Sequence, residues 1–339
     1  MTAKLKLAFL AGALIAATST TALAGARLDA IKARGELICG VNTGLGGFSI
    51  ADSTGKWVGL DADVCRAVAA ALLGDGNKVK FVPLTAQQRF TALQSGEVDM
   101  LSRNTTWTLT RDTQLGLNFA ATTYYDGQGF MVPKSLNVTS AKQLAGASVC
   151  VQPGTTTELN LADYFRANNL QYKPVVIEAL AEVNAAFFAG RCDALTTDAS
   201  GLASVRKNDA KNPDDYVILP EIISKEPLGP AVAQGDEQWA DVVKWTVFAL
   251  LEAEEYGITQ ANVEEMAKTS TNPNIKRVLG TTPGMGKAIG LNEDWVVKAV
   301  KSVGNYGEIW TRNITPLGLP RGLNNLWNKG GIMYAPPIR

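Results

Sequence analysis

A strand-helix-strand pattern occurs twice in this chain, and it restricts the fold more than any other feature of the sequence. The segment TALQSGEVD (91–99) has a counterpart in AAFFAGRCD (185–193), 94 residues further along, with Ala, Gly and Asp at matching positions. In both places a helix-like stretch ends at the glycine and a short apolar run follows. Strands that alternate with helices form parallel sheets covered by helices. The repeat therefore predicts two α/β lobes built to one plan.

The first lobe begins with the apolar run LICGV (37–41), which predicts a strand. A helix follows and ends at Gly74. Its apolar positions recur every four residues, at Leu60, Val64, Val68 and Leu72. The βαβαβ order is completed by a strand VKFVPL (79–84), a helix that ends at Gly96 and a strand VDMLS (98–102).

The second lobe repeats this order. A strand in ASVCVQPGTT (147–156) leads to a helix from Thr157, and VVIEAL (175–180) is the next predicted strand. A helix EVNAAFFAG (182–190) and a strand CDALTTD (192–198) follow. Each lobe is therefore expected to contain a parallel-rich sheet flanked by helices.

The chain is predicted to cross between the lobes twice. Two extended, glycine-rich segments suit a hinge, namely DGQGFMVPK (126–134) and PLGPAVAQG (227–235). The predicted organisation is lobe 1 in residues 25–129, lobe 2 in 130–229, and the completion of lobe 1 with a C-terminal extension in 230–339. The extension begins with a helix pattern that we expect to pack on lobe 1, at Trp239, Val243, Val247 and Leu251.

The first 24 residues have the pattern of a secretory signal peptide. Lys4 and Lys6 precede an apolar run (7–17), and Ala22-Leu23-Ala24 places small residues at a cleavage position. The run is too short for the ~30 Å of a bilayer's hydrocarbon core, so a membrane anchor is the weaker interpretation. We expect cleavage after Ala24 and export to the periplasm.

The composition excludes several kinds of site. Histidine is absent, which excludes Ser-His-Asp and Cys-His catalysis and removes the commonest zinc ligand. Basic and acidic residues number 32 each and no basic run occurs, so nucleic acid is not an expected partner. An even number of cysteines in an exported chain favours disulfides over metal, and these are Cys39, Cys65, Cys150 and Cys192. We predict neither a metal nor a cofactor.

The segment VDMLSRNTTWTLTR (98–111) places hydroxyl groups and two arginines directly after a predicted strand. Ligands of open α/β sheets bind beyond the carboxyl ends of the strands. Arg111 is therefore expected at the cleft between the lobes, where a guanidinium group can hold a carboxylate with two parallel hydrogen bonds. An ordinary surface arginine is the alternative for this residue alone.

Lobe 2 has two features that suit the opposite ends of a charged ligand. Thr155 and Glu158 have capping-box spacing, so a helix N-terminus with N–H donors for an anion is expected after Gly154. Asp198 ends a predicted strand and can receive an ammonium group. Helix capping alone also explains either feature. Together with Arg111, they indicate a site for a zwitterion.

The chain resembles a known family in five motifs that occur in order between Leu37 and Tyr256: GLDADVCRAVA, RFTALQSGEVDML, TWTLTR, VQPGTTTE and DALTTD. The family comprises the solute-binding proteins of ABC importers for polar and general amino acids. The resemblance implies a two-lobed periplasmic-binding-protein-like fold in an exported monomer. It also implies capture of L-amino acids (glutamate, glutamine, aspartate, asparagine and others) and delivery to membrane permease subunits.

The resemblance implies roles for individual residues. Arg111 and Thr106 would bind the α-carboxylate of the ligand from lobe 1. Thr156 and Thr157 would bind it from lobe 2.

The α-ammonium group would contact the backbone carbonyl of Asn104 and the carboxylate of Asp198. Gln152 stands where relatives have a residue that reads the ligand side chain. Arg89 matches an arginine that binds acidic side chains in relatives, although a solvated helix face is its alternative. Asn42, in the loop after the first strand, completes the expected ligand-binding set.

Two departures from the family pattern concern the pocket walls. Relatives stack aromatic rings on the ligand, but Leu45 and Ala86 stand at the corresponding positions. A roomier and less aromatic pocket suits several side chains, so we expect broad specificity. In the sheet order that the resemblance implies, Cys150 and Cys192 lie on neighbouring strands, which leaves Cys39 to pair with Cys65.

Two other functions compete with transport. Some exported dehydratases, of the cyclohexadienyl type, share this fold, and an enzyme of this kind would use Asp198 or Glu158 as its general acid. An amino-acid-sensing receptor component would bind the same ligand and pass the signal to a sensor. We expect a binding protein with no catalytic residues.

Overall fold

The computed structural model describes residues 25–339, and the predicted signal peptide with its cleavage site lies outside the described residues. Most strands belong to two separate five-stranded sheets, and two short strand pairs stand apart. In chain order the strands are β1 Leu37–Val41, β2 Ile50–Ala51, β3 Trp57–Val58, β4 Val79–Pro83, β5 Met100–Leu101, β6 Leu117–Phe119, β7 Tyr124–Asp126, β8 Gln128–Pro133, β9 Ser148–Val151, β10 Lys173–Val176, β11 Ala194–Asp198, β12 Tyr216–Ile218, β13 Glu226–Leu228 and β14 Ala231–Ala233.

Helices connect many of these strands and make up most of the C-terminal part. In chain order the α-helices are α1 Ala26–Arg34, α2 Leu60–Leu73, α3 Gln88–Gln94, α4 Leu109–Thr113, α5 Thr156–Ala167, α6 Leu180–Phe188, α7 Ala199–Asn208, α8 Glu237–Glu255, α9 Val263–Thr269, α10 Pro273–Val278, α11 Met285–Ala288, α12 Trp295–Val303 and α13 Tyr306–Asn313. Within residues 25–339, no helix combines the length and the apolar character needed to cross a bilayer.

The two large sheets share one arrangement. The first is ordered β4-β1-β5-β14-β6, and the second is ordered β10-β9-β11-β8-β12. In each sheet the first strand of the repeat lies between the second and the third, and all three are parallel. The fourth strand of each sheet, β14 or β8, runs antiparallel. The predicted α/β fold with two lobes is therefore confirmed.

The chain passes between the sheets through a separate two-stranded ladder. There β7 and β13 pair antiparallel, with Asp126 opposite Glu226 and Tyr124 opposite Leu228. The strands that follow them, β8 and β14, belong to the second and the first sheet. Below, lobe 1 and lobe 2 mean the first and the second sheet with their helices, and the crossing strands are β7 and β13.

One predicted strand extends too far. The strand predicted at 175–180 is β10, which stops at Val176, and Leu180 is instead the first residue of α6. Leu180 packs with Val183 and Phe187, at the spacing of one helix face. Its partial burial therefore comes from the helix and not from a longer strand.

The C-terminal part of the chain adds a helical layer to lobe 1. The Trp239 indole N–H of α8 donates to the Asp99 carbonyl at 2.9 Å, and α12 packs against α2. These helices and most buried residues of lobe 1 form one extensive core, beside a smaller cluster of lobe 1 that contains Leu93 and Phe119. The core of lobe 2 consists of two smaller clusters, so the two lobes differ in how much apolar surface they bury.

The same C-terminal part also contacts the first crossing strand. The Asn324 side-chain oxygen accepts from the Tyr125 N–H at 2.7 Å, and its nitrogen donates to the Tyr125 carbonyl at 3.1 Å. The Tyr306 hydroxyl donates to the Thr123 carbonyl at 2.8 Å, just before β7. Strand β7 is thus held by β13 and by the extension.

Two disulfides join the pairs of cysteines that the resemblance implies. Cys39 of β1 bonds to Cys65 of α2, with their Cα atoms 6.2 Å apart. Cys150 of β9 bonds to Cys192, which precedes β11, with their Cα atoms 5.6 Å apart. The first bridge ties a helix to a strand in lobe 1, and the second ties neighbouring parts of the sheet in lobe 2.

Candidate ligand-binding site between the two lobes

The loop after β5 is held in shape by the buried carboxylate of Asp61. This carboxylate accepts from the Ser102 hydroxyl at 3.0 Å and from the Asn104 backbone N–H at 2.7 Å. Asn104 has a left-handed backbone, with φ of 37°, and its side-chain oxygen accepts from Asn42 at 3.0 Å. Burial raises the pKa of Asp61 to about 6, and the hydrogen bonds oppose that shift. The side chain of Asn42 and the carboxylate of Asp61 thus hold Asn104 in place from two sides.

Arg111 is buried at the lobe 1 side of the cleft. Helix α4 positions it, because the Thr108 hydroxyl caps this helix by accepting from the Arg111 N–H at 3.2 Å. The Arg111 Nη1 donates to the Thr106 carbonyl at 2.8 Å, and its guanidinium carbon lies 5.0 Å from the centre of the Phe90 ring. Burial lowers the pKa of Arg111 to about 10, and nearby carboxylates oppose the shift. The alternative of a surface arginine is wrong.

Arg89 on α3 and Arg103 after β5 are also buried in this region. Arg89 makes two long hydrogen bonds, each of 3.5 Å, to the Thr105 hydroxyl and to the Gly154 carbonyl of lobe 2. Its Nε has no partner among the described residues. Burial and the charges of the two other arginines lower the pKa of Arg89 well below its usual value. A solvated helix face is therefore the wrong interpretation of Arg89.

These three guanidinium groups leave a positive charge in the cleft. In the part of the chain that the structure describes, none of them forms an ion pair with a carboxylate. Burying an unpaired charge is costly in free energy. An anionic ligand would offset that cost.

Helix α5 of lobe 2 begins beside these groups at Thr156. The hydroxyl of Thr155 caps it by accepting from the Glu158 N–H at 3.0 Å. The capping box itself is incomplete, because the Glu158 carboxylate accepts from the Gly154 N–H at 3.0 Å and not from the N-cap residue. The Thr157 hydroxyl donates to the Thr155 hydroxyl at 2.9 Å, so its proton is used within lobe 2.

Two threonine hydroxyls meet between the lobes. Thr106 of lobe 1 and Thr156 of lobe 2 have hydroxyl oxygens 3.3 Å apart. Both hydroxyls donate to the same oxygen of Glu226, at 2.6 and 2.8 Å. Glu226 lies on crossing strand β13 and is 1% exposed. It is absent from the predicted site, and an acid just before the second predicted crossing is the sequence signal for it.

Asp198 ends β11 and is buried. It stands at the N-cap position of α7, yet its side chain caps no N–H of that helix, so capping does not explain it. Burial raises the pKa of Asp198 well above its usual range, and the charges of Asp126 and Glu226 raise it further. A hydrogen bond from the Asn104 side chain opposes that shift.

Asp126 on crossing strand β7 is a half-buried carboxylate that the sequence pattern also did not predict. It accepts from the backbone N–H of Gly127 at 2.8 Å and from the hydroxyl of Ser200. Burial raises the pKa of Asp126 to about 6, these hydrogen bonds oppose the shift, and the charge of Glu226 adds to it. With Asp198, these residues form a cluster of carboxylates opposite the arginines.

The other predicted pocket residues lie around this core of charges. Gln152 donates to the Glu178 carbonyl at 2.7 Å, so its amide nitrogen is engaged within lobe 2. Leu45 and Ala86 are both buried. A cavity of about 410 Å³ lies between the loop after β1 and helix α6, and residues of both lobes line it.

Direct contacts between the lobes surround the site. The Ser204 hydroxyl of lobe 2 donates to the Gly46 carbonyl of lobe 1 at 2.8 Å. The Thr85 hydroxyl of lobe 1 donates to the Glu178 carboxylate of lobe 2 at 2.7 Å. The lobes are therefore in a closed arrangement, which keeps the charged groups between them away from bulk water.

The sequence matches a family model over most of the part that builds both lobes. The description of that model is bacterial extracellular solute-binding proteins, family 3, and it matches residues 37–261. The chain belongs to this family. The resemblance inferred from the sequence motifs is thereby confirmed. Residues 262–339, which hold the C-terminal helices α9–α13, lie beyond the matched segment.

Similar proteins cover almost the whole of this family 3 protein. The general L-amino acid-binding periplasmic protein AapJ of Rhizobium johnstonii is 62% identical over 333 residues, with 97% of each chain covered. The glutamate/glutamine/aspartate/asparagine-binding protein BztA of Rhodobacter capsulatus is 58% identical over 337 residues, with 98% of this chain and 99% of the relative covered. A solved structure of a periplasmic binding protein from Brucella ovis with glutathione bound is 62% identical, with a TM-score of 0.89, and the match covers 92% of this chain and 99% of that one.

Proposed function

We propose that this protein captures free L-amino acids between its lobes and delivers them to the membrane permease subunits of an ABC importer. The observation that supports this most directly is the division of buried charge. The buried arginines of the cleft belong to lobe 1, where the Asp61 carboxylate is engaged by Ser102 and Asn104. The other carboxylates of the cleft lie on lobe 2 and the crossing strands, and no ion pair joins them to the arginines among the described residues. A zwitterion satisfies both sets at once.

The α-carboxylate of the ligand is assigned to Arg111 in this proposal. Its planar fork of N–H donors matches a carboxylate, and the N-terminus of α5, at Thr156 and Thr157, adds backbone N–H groups with a favourable dipole. The α-ammonium group is assigned to Asp198 and to the carbonyl of Asn104. Each charge-assisted bond contributes roughly 1.5–3 kcal/mol.

The side chain of the ligand is assigned to the region of Arg89 and Gln152. The unpartnered Nε and the two long hydrogen bonds of Arg89 leave it able to bind a carboxylate of an acidic amino acid. The small side chain of Ala86 and the aliphatic Leu45 leave room for other side chains, which supports broad specificity. The names of the AapJ and BztA relatives, a general binder and a binder of four amino acids, agree with this.

The proposal also covers export and partners. Cleavage after Ala24 would release the mature chain into the periplasm as a monomer, and its relatives are periplasmic binding proteins. We propose that the protein binds its ligand without catalysing a reaction on it. Release of phenylpyruvate from prephenate by the purified protein would contradict that part and favour the dehydratase alternative.

Glutathione is a second ligand class to test. The related Brucella ovis structure holds glutathione, and the γ-glutamyl end of glutathione has the same α-ammonium and α-carboxylate groups as a free amino acid.

The experiment is a thermal-shift panel on the mature protein after unfolding and refolding, which removes carried-over ligand. The panel contains the twenty amino acids, glutathione, and maltose as a ligand without either charge. A ligand at a hundred times its Kd adds about 2.7 kcal/mol to the free energy of unfolding. We expect shifts with glutamate, glutamine, aspartate and asparagine. The absence of a shift with every amino acid would contradict the proposal.

A further inference from the structure

Glu226 is a buried carboxylate whose partners come from both lobes. Its Oε2 accepts from the hydroxyls of Thr106 and Thr156, at 2.6 and 2.8 Å. Its Oε1 accepts from the Asn160 side chain at 2.8 Å and from the Ser224 hydroxyl at 2.6 Å. Each oxygen thus receives two donors. No ion pair to Glu226 occurs within residues 25–339, so its negative charge acts on the site without a neutralising partner.

These hydrogen bonds decide how the two threonine hydroxyls present themselves to a ligand. A hydroxyl has one proton and two lone pairs, whereas an ionised carboxylate accepts and cannot donate. Thr106 and Thr156 therefore direct their protons to Glu226 and present lone pairs elsewhere. Their implied role, donation to the ligand carboxylate, does not agree with this arrangement. A hydroxyl that is already donating suits an ammonium group instead.

A primary ammonium group has three N–H donors and no acceptor. The site offers it the Asp198 carboxylate, the Asn104 carbonyl and the lone pairs of the Thr106 hydroxyl. An α-hydroxy acid of the same shape has one O–H donor in place of the three, so it leaves acceptors without partners. Such unpaired buried groups reduce affinity.

We infer, on the basis of the proposed function, that Glu226 is a positioning residue that makes the site selective for ligands with an α-ammonium group. It acts through Thr106 and Thr156, because it accepts their protons and so turns both hydroxyls into acceptors. Its charge also adds to that of Asp198 on the side of the site where the ammonium group binds.

The test compares L-glutamate with (S)-2-hydroxyglutarate, which replaces the ammonium group by a hydroxyl, on the full mature protein. In the Glu226→Gln variant the side chain keeps its shape, loses its charge and has one acceptor oxygen for four donors. We expect the affinity for L-glutamate to fall by at least about tenfold, the equivalent of one charge-assisted bond. The affinity for the hydroxy acid falls much less, so the ratio of the two affinities decreases. An unchanged ratio would overturn the inference.

Glu178→Gln is the matched control. Glu178 also accepts from a threonine hydroxyl across the lobes, that of Thr85, so its loss is expected to weaken both ligands by the same factor. Thr106→Val is the test if Glu226→Gln does not fold, because it removes the hydroxyl through which Glu226 acts. The valine variant should also have a decreased ratio, and an unchanged ratio would overturn the inference. Where Glu226→Gln folds, adding it to Thr106→Val should change the ratio by less than it does in the unsubstituted protein. Equal effects of Glu226→Gln in both backgrounds would contradict action through Thr106.

Binding of L-glutamate by the unsubstituted protein separates the two proposals. If it binds and Glu226→Gln leaves the ratio unchanged, the inference fails and the proposed function stands. If no amino acid binds to it, the proposed function fails and the inference fails with it.

Discussion

Lobe 1 and lobe 2 have the same sheet order, but they bring opposite charges to the cleft. The buried guanidinium groups of Arg89, Arg103 and Arg111 all belong to lobe 1. The buried carboxylate of Asp198 belongs to lobe 2, and two further carboxylates lie on the crossing strands, the half-buried Asp126 and the buried Glu226. The repeated fold supplies the scaffold, while the residues at the strand ends give each lobe a different chemical task.

This difference explains how a ligand can favour the closed state. A zwitterion that contacts a cation of one lobe and an anion of the other binds both well when the lobes are together. A ligand shifts a conformational equilibrium by its difference in affinity for the two states. Since each lobe alone satisfies one charge, binding and closure are expected to be coupled.

The lobes also differ in what stabilises them. Lobe 1 has one extensive core, to which the C-terminal helices contribute, and one smaller cluster, whereas lobe 2 has two smaller clusters only. Each lobe has one disulfide. Lobe 2 is therefore expected to depend more strongly on its bridge.

The largest expected effect comes from removing the cation that lobe 1 contributes to the site. Arg111→Ala removes the bidentate partner of the ligand carboxylate and should weaken amino-acid binding by about 2–5 kcal/mol. Arg111→Lys keeps the positive charge but not the planar pair of N–H donors, so it should weaken binding less than Arg111→Ala does. Isothermal titration measures both. Arg166→Ala, on an exposed face of α5, is the control, and an equal loss there would contradict a specific role for Arg111.

The second prediction concerns the unequal cores. Replacing Cys150 and Cys192 by serine opens a loop of 42 residues in lobe 2, and the same change at Cys39 and Cys65 opens one of 26 in lobe 1. Chain entropy alone gives similar losses, about 4 and about 3.5 kcal/mol. Because lobe 2 has the smaller core, its variant should show the larger fall in Tm by calorimetry. Equal falls in Tm for the two variants would contradict a stronger dependence of lobe 2 on its disulfide.

The third prediction concerns the carboxylate that lobe 2 contributes to the site. Asp198→Asn should weaken amino-acid binding by roughly 1.5–3 kcal/mol, the value of a hydrogen bond to a charged group. Asp209→Asn at the other end of α7 is the control. Titration calorimetry measures both variants, and an unchanged affinity in Asp198→Asn would contradict the assignment of the ammonium group.

Asp198 also gives binding a pH dependence with a definite sign. Its pKa in the structure is raised, and a ligand ammonium group stabilises the ionised form, so binding lowers that pKa and releases protons. Affinity should therefore fall as pH is lowered through the raised pKa of Asp198. Asp198→Asn should flatten this dependence. Titrations in buffers of different ionisation enthalpy measure the protons released, and proton uptake on binding would contradict the sign.

The smallest expected effect concerns the C-terminal extension and the crossing strands. Asn324→Leu removes the two hydrogen bonds to the Tyr125 backbone and should cost about 1–3 kcal/mol of stability. It should also loosen β7 and increase the radius of gyration of the ligand-free protein in small-angle scattering. Asn328→Ala, which is exposed on the same segment, is the control. The same radius in both variants would contradict a role of the extension in holding the crossing strand.

Much of the fold could be predicted from the sequence because its signals are local. Apolar runs, four-residue periodicity and terminal glycines such as Gly74 and Gly96 follow from the geometry of single helices and strands. The exact ends of strands and helices were harder to predict. An apolar residue such as Leu180 suits the buried face of either a strand or a helix. Its packing with Phe187 decides between them, and that contact exists only in the folded chain.

The candidate site could be predicted in part for the same reason. Arg111 and Asp198 stand at strand ends, which the repeat pattern locates. Asp126 and Glu226 were missed because pairing between the crossing strands brings them together from distant parts of the chain. The Thr106 hydroxyl likewise donates its hydrogen bond to Glu226, which is distant in the chain. The sequence around residue 106 therefore could not predict the direction of that hydrogen bond.

One measurement tests the central claim, that the site needs both charges of the ligand, most directly. Isothermal titration compares L-glutamine with N-acetyl-L-glutamine, which lacks the ammonium group, and with L-glutamine α-amide, which lacks the carboxylate. Loss of either charge removes at least one charge-assisted contact and leaves a buried partner unpaired, so each analogue should bind at least about a hundredfold more weakly. Binding of either analogue as tightly as L-glutamine would contradict the account.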